Sequence, residues 1–330
     1  MFALFSVIIY LAGSRMTYYG DVLGEKWSVE RSFIGLILLS TVTSLPEMGT
    51  SLASIIVVDS PNLALGNVLG SNMFNILIIP LIIIVCWDNF LDQARPKQTT
   101  TGNLVLFLYG LVGLALISDL FGWSVYRLLN VGMFSGLIFI VYLFGLYMIF
   151  SDSGVDPEQE ADLEEAELYT NLNESAATTI FIVCALLVIG SGAGLAQVGK
   201  VLAVETGLGE TFFGSLFFAF VTSLPEFVVS LAAIRQLQAA NLAVGNVVGS
   251  CLFNLGIIFI YEVAALDYPV FTQSSNTHLV SVFAGILLVS TLTFSIQYRQ
   301  SNPTDSPITF ETIGIIAIYI SAMYFLGGLT

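Results

Sequence analysis

Apolar positions run along this chain in long blocks separated by short polar breaks, and the blocks have the length that a helix needs to cross a bilayer, about 20 residues. They fall at 2–20, 32–57, 62–85, 102–118, 125–150, 177–199, 211–234, 242–265, 278–297 and 308–328. The pattern predicts an all-α polytopic membrane protein of ten transmembrane helices. The polar residues inside the blocks are not scattered. S-T-V-T-S-L-P-E at Ser40 to Glu47 returns as A-F-V-T-S-L-P-E at Ala219 to Glu226, and N-L-A-L-G-N-V-L-G-S-N-M-F-N from Asn62 returns as N-L-A-V-G-N-V-V-G-S-C-L-F-N from Asn241. Both returns come 179 residues later without a gap, which describes a duplicated gene. Five blocks per half is an odd number, so the second half enters the membrane in the opposite sense. The expected layout is two inverted repeats, 1–150 and 176–330, joined by an acidic linker, 151–175. Inverted repeats around a midplane site are the recurring plan of secondary transporters.

Composition narrows the environment. With 56% apolar residues, 10% charged residues and a mean hydropathy of +0.89, the chain is not a water-soluble globule. Its net charge of -15 comes largely from the linker, where acids crowd between Asp152 and Glu174 without a Lys or Arg. Such a run reads as a solvated cytoplasmic connector, and D-S-G-V-D-P-E from Asp152 matches no EF-hand spacing. The positive-inside rule places Arg15, Lys26, Arg31, Arg95, Lys97, Arg235 and Arg299 near the cytoplasm if the N-terminus is outside, and leaves only Arg127 and Lys200 outside. The expected location is therefore a prokaryotic inner membrane, multi-pass, with the N-terminus outside. The first block lacks a basic leader and belongs to the duplicated unit, so it is read as a span and not as a cleaved signal. Neither nucleic acid nor an obligatory protein partner is expected.

Several residues are given structural readings. Cys86, Cys184 and Cys251 are small buried hydrophobes at unrelated spacings. His278 is expected at a loop edge, Arg15 to snorkel towards the surface, and Asn62 and Asn241 to cap their helices.

The chemistry lies in the second, third, seventh and eighth blocks. Thr43 and Ser44 precede Glu47 by four and three residues, so hydroxyls and carboxylate share one helical face, as do Thr222, Ser223 and Glu226. Pro46 and Pro225 cannot donate to the preceding turn and leave main-chain oxygens there short of partners. Ser71 and Asn75, like Ser250 and Asn254, lie four apart on a third and an eighth helix. Gly66 and Gly70, and Gly245 and Gly249, form small-xxx-small pairs that let backbones approach. Carboxylates inside hydrocarbon are functional by default. Two of them among many neutral oxygens, with no imidazole or thiolate, describe a hard-cation cage that suits calcium better than magnesium.

T-S-L-P-E followed by G-N-V-x-G-S-x-x-F-N, twice, resembles the alpha repeats of the calcium:cation antiporter superfamily, most closely its prokaryotic sodium/calcium exchanger branch. The resemblance spans essentially the whole chain. It implies central carboxylates at Glu47 and Glu226, and hydroxyl ligands at Thr43, Ser44, Thr222, Ser223, Ser71 and Ser250. It further implies carbonyl ligands at Ser40 and Ala219 and central amides at Asn75 and Asn254. Two features depart from the family: Val42 and Val221 stand where glycine is usual, and Asn254 stands where some relatives carry Asp, which resembles potassium-independent members.

The implied function is antiport of calcium against sodium by alternating access at one site shared between the two glutamates, with no resident cofactor and no enzymatic activity. Two negative charges balance one calcium or partly compensate several sodium ions, so the loads exclude each other, and protons compete when the site is empty. A proton/calcium exchanger is the nearest alternative, though the Ser and Thr lining favours sodium. An aspartyl-type intramembrane protease and a passive channel fit the inverted duplication and the symmetric carboxylates less well.

Overall fold

The structure, a computed structural model, describes residues 1–26, 39–94, 96–122, 127–128, 131–151, 173–265, 269–304 and 306–329. The acidic run between 152 and 172 lies outside these residues, as does the start of the second block. The described residues are mostly helical, with short turns between the helices and one short antiparallel pair, β1 (Arg127–Leu128) and β2 (Val131–Gly132).

The helices in chain order are α1 (Phe2–Lys26), α2 (Leu39–Thr43), α3 (Leu45–Ile56), α4 (Pro61–Cys86), α5 (Pro96–Leu120), α6 (Met133–Ser151) and α7 (Glu174–Thr206). They continue with α8 (Glu210–Phe213), α9 (Ala219–Thr222), α10 (Leu224–Leu237), α11 (Ala240–Gly256), α12 (Ile258–Ala264), α13 (His278–Ser301) and α14 (Phe310–Gly328). Among the described residues six helices are long and apolar enough to cross a membrane, and the bent pair Glu210–Thr222 and Leu224–Arg235, inclined by 43°, makes a seventh. The expected span at 125–150 begins later than the hydropathy suggested, because 131–132 belong to β2 and the helix starts at Met133. At 33 residues, α7 is about 50 Å long, so it outreaches the hydrocarbon and must tilt or protrude.

Burial sorts these helices into a centre and a periphery. Apolar all round, α4 is buried over 83% of its hydrophobic window; its counterpart span Ala240–Ala264 is buried to the same extent, whereas α14 reaches only 28%. The large apolar side chains left outward, such as Phe144, Tyr147, Leu186, Ile320 and Tyr324, form a surface that only lipid would solvate favourably. α5, α13 and α14 pack around the central pair, and α1 lies along α7 beside the broken helices. Gly13 lets α1 cross closely here, since a Cβ there would stand 3.1 Å from Pro225 Cγ and 3.4 Å from Pro46 Cγ.

The breaks follow from proline. α2 and α3 meet at Ser44 (φ -89°, ψ 5°) and α9 and α10 at Ser223 (φ -88°, ψ 6°), each two residues before a proline. Proline brings no N–H to the carbonyl four residues back, Val42 or Val221, and its ring crowds that turn, so the helix breaks just ahead of it. A π-turn at Gly214–Phe218 joins α8 to α9. The close approach expected of Gly66 and Gly70 is realised against this segment: a Cβ on Gly66 would meet the Thr211 carbonyl oxygen at 2.8 Å, and one on Gly70 would overlap the backbone of Ser215.

Several local expectations change. Ser60, not Asn62, caps α4, its Oγ accepting from Leu63 N at 3.3 Å, while Asn62 Oδ1 accepts from Ser275 N at 2.7 Å. Asn241 is likewise inside its helix, with Ala239 at the cap position. His278 does begin α13, but it is fully buried, with Nε2 3.5 Å from Thr211 Oγ1, instead of sitting at a wet loop edge. The neighbouring helix covers it, which hydropathy along a single segment does not reveal. Arg15 is exposed on α1; all three cysteines are free, Cys184 and Cys251 buried as expected and Cys86 only half-buried.

Candidate cation site

All twelve residues singled out in the sequence are buried. Glu47 and Glu226, each at the third position of a helix that starts after a break, are shielded from solvent completely. Among the described residues neither is paired with a cationic side chain; each takes a hydroxyl from the opposite repeat. Ser223 Oγ donates to Glu47 Oε1 at 2.8 Å, and Ser44 Oγ donates to Glu226 Oε1 at 3.0 Å. The second oxygen of each carboxylate, Oε2, is buried without a partner. An uncompensated pair of buried carboxylates is costly unless something positive is shared between them.

The hydroxyls around the carboxylates repeat this exchange. Thr43 Oγ1 lies 3.1 Å from Ser40 O, 3.2 Å from Asn246 Oδ1 and 3.3 Å from Ser250 Oγ. Correspondingly, Thr222 Oγ1 lies 3.0 Å from Phe218 O, 3.2 Å from Asn67 Oδ1 and 3.3 Å from Ser71 Oγ. Ser250 Oγ also reaches Ser40 O at 3.2 Å and Glu226 Oε1 at 3.5 Å. The Ala219 carbonyl accepts a helical bond from Ser223 N at 3.0 Å and keeps a second lone pair for a ligand, whereas Ser40 O already takes Ser44 N at 3.2 Å together with the Thr43 and Ser250 hydroxyls, so a cation bound there would displace a hydroxyl.

Asn67 and Asn246 hold this arrangement, and neither is among the site residues expected from the motifs. Asn67 Nδ2 donates to Glu47 O at 3.2 Å and to Ser51 Oγ at 2.9 Å. Asn246 Nδ2 donates to Glu226 O at 3.4 Å and to Ser230 Oγ at 3.1 Å. Each asparagine thus fixes the backbone of its own glutamate while its oxygen takes the threonine of the other repeat. A signal for them exists in the sequence: Asn67, Ser71 and Asn75 form one stripe at intervals of four, and Asn246, Ser250 and Asn254 form the other.

Asn75 and Asn254 lie one turn beyond the hydroxyls on those stripes, and their environments differ. Asn254 Nδ2 donates to Asn72 Oδ1 at 3.0 Å and its Oδ1 is unpartnered, whereas both polar atoms of Asn75 are unpartnered. Among the described residues no three His, Cys, Asp or Glu side chains converge. The donor set is instead two carboxylates in a shell of hydroxyl, amide and main-chain oxygen, which matches hard cations and excludes a thiolate or imidazole centre.

Val42 and Val221 stand outside the oxygen shell. Val42 packs in an apolar cluster with Ala12 and Met16 of α1 and Cys184 and Val188 of α7. Val221 packs with Ile9 of α1 and Leu195 and Ala196 of α7.

The family profile described as sodium/calcium exchanger protein matches residues 1–151 and 176–328, which leaves out little beyond the acidic linker. The chain belongs to the sodium/calcium exchanger family. Members of this family are membrane transporters, not enzymes. Inner membrane protein YrbG of Escherichia coli is 24% identical over 325 residues, covering 97% of this chain and 94% of its own. Sodium/calcium exchanger MaX1 of Methanosarcina acetivorans is 26% identical over 283 residues, covering 76% and 77%. In fold, the exchanger resembles native YfkE (TM-score 0.67, 16% identity, 98% of this chain and 91% of that one). It also resembles the sodium-calcium exchanger NCX_Mj soaked with 2.5 mM Na+ and 0.1 mM Sr2+ (TM-score 0.59, 18% identity, 98% and 96%).

Proposed function

We propose that this exchanger carries calcium against sodium across a prokaryotic inner membrane, by alternating access at one site that Glu47 and Glu226 share. The observation that supports this most directly is the crossed pair of bonds, Ser223 to Glu47 and Ser44 to Glu226, with Oε2 of each carboxylate buried and unpartnered. A calcium ion placed between those oxygens cancels both charges. Sodium ions spread over the same carboxylates and over Thr43, Thr222, Ser71, Ser250, Asn75 and Asn254 compensate them too, so either load displaces the other. The carbonyls of Ser40 and Ala219 complete the proposed ligand set.

Ten spans, five in each of 1–150 and 176–330, with 151–175 as a cytoplasmic linker, would bring the two motifs to the midplane from opposite sides. The N-terminus is then outside. α1 and α7 flank both broken helices, so the ion-binding core can be exposed to either side without dismantling the crossed bonds. A sodium load of higher charge than calcium would make turnover electrogenic, at about 2.3 kcal/mol per charge per 100 mV. Hydroxyl-rich lining favours sodium over proton coupling, as does the name of the Methanosarcina relative.

Purified protein in sodium-loaded liposomes tests the reading. Calcium uptake should follow the outward sodium gradient and persist when a protonophore collapses the pH gradient. Uptake driven by the pH gradient alone would establish the proton/calcium alternative.

A further inference from the structure

The two halves of the site differ most where α4 crosses α11. Positions 72 and 251 are equivalent in the two repeats, and they touch each other at this crossing. Asn72 Nδ2 donates to Cys251 O at 3.2 Å, and Cys251 Sγ approaches Asn72 O at 3.7 Å. The Cys251 carbonyl only accepts, so it fixes which way the Asn72 amide is turned: nitrogen to the carbonyl, oxygen to Asn254. That oxygen also only accepts. Asn254 must therefore present its nitrogen to Asn72, which it does at 3.0 Å, and its Oδ1 is left buried and unpartnered. Asn254 lies one helical turn beyond Ser250, whose hydroxyl reaches the Glu226 carboxylate. An amide serves a cation only through its oxygen, and an oxygen already turned away from a donor costs nothing further to orient.

No such relay serves the first repeat. The residue placed to orient Asn75 is Cys251, whose thiol makes at most a weak contact with the Asn75 side chain, and no well-formed hydrogen bond reaches either polar atom of Asn75. A thiol is too weak a partner to hold an amide in one orientation.

Resting on the exchange reading above, we propose that Asn72 is a positioning residue for the cation site: it holds Asn254 with its oxygen facing the load, while Asn75 is left unoriented. The site is thus built one-sided, and its affinity depends on a residue that does not itself touch the ion. Outer partners that orient ligands typically govern affinity by about 10- to 100-fold.

The test is calcium uptake into sodium-loaded vesicles by the full chain carrying Asn72→Leu, Asn254→Ala or both. Asn72→Leu should raise half-saturating calcium by about 10-fold or more while leaving the maximal rate near wild type. With Asn254→Ala already present, adding Asn72→Leu should change half-saturation less than about twofold, because residues acting as one unit do not add. Calorimetric calcium titration of detergent-purified protein gives the same comparison for a variant too slow to exchange, and Asn72→Ala replaces Asn72→Leu if the leucine does not fit the helix crossing. Wild-type half-saturation in the Asn72 variant, or effects that add in full, would overturn the proposal. Wild-type protein that neither binds nor carries calcium would overturn the exchange reading itself.

Discussion

Ser223 places its hydroxyl 2.8 Å from the carboxylate of Glu47, a residue 176 positions earlier in the chain. Ser44 does the same for Glu226 at 3.0 Å across 182 positions. Each repeat therefore carries an acid that takes a hydroxyl from the other repeat, and the proposed site needs both halves. Glu47→Gln or Glu226→Gln should abolish calcium exchange at normal expression and folding, because each removes half the charge available to a divalent ion. Ser44→Ala and Ser223→Ala should be milder, since a bound cation can itself satisfy the carboxylate. Vesicle uptake at equal protein content checks both, and unimpaired flux in either Gln variant would sink the shared-carboxylate mechanism.

Asn67 commits both amide groups inside the protein, to Glu47 O, Ser51 Oγ and Thr222 Oγ1. Asn67→Leu removes one bond from each of these groups, although Thr222 Oγ1 and Ser51 Oγ keep the carbonyls of Phe218 and Ala64, at a net cost of about 0.5–1.5 kcal/mol per bond. A clear fall in thermal stability of the detergent-purified protein is the expected outcome, and Asn246→Leu should match it. A melting temperature equal to wild type in both would show that the network is not holding the helices.

The packing of Val42 and Val221 against α1 and α7 predicts that restoring glycine at both leaves the ion series unchanged. The cost is in stability: about 1 kcal/mol of helix propensity per site relative to alanine, plus lost dispersion contacts. Competition of strontium, manganese and magnesium against labelled calcium decides it, since a reordered series would mean that the valines shape the cage.

Arg299 and Glu311 tie α13 to α14 through a two-pronged ion pair, with Nη2 3.0 Å from Oε2 and a second bond from Nε to Oε1. The guanidinium also lies 5.5 Å from the Tyr298 ring centroid. Glu311→Gln should cost about 1.5–3 kcal/mol, the range for charge-assisted bonds, and lower the melting temperature without moving half-saturating calcium. A changed calcium affinity in that variant would mean that the α13–α14 hairpin is coupled to the site.

The duplicated motifs make most of the site legible in the amino-acid sequence. Glu47, Glu226 and the hydroxyls beside them stand out because polar groups in apolar helices are costly and rare, and both copies have kept them. Their spacing of three and four puts them on common helical faces. Partner choice is what spacing leaves open. A periodic pattern says which residues share a face, but not whether a serine bonds the glutamate three residues away or the one in the other repeat. The crossing of the repeats decides for the second.

The sequence by itself determined the helical class, the membrane environment and the presence of two acids inside apolar helices, since hydrophobic length and local spacing are properties of a single helix. Tertiary structure alone decided the rest: the burial of His278 under a neighbouring helix, the capping of α4 by Ser60, the role of Asn67 and Asn246, and the contact of Asn72 with Cys251. These depend on which helices approach and at what height, and in a membrane that is set by close backbone packing and by the pairing of buried polar groups, which no single helix can specify.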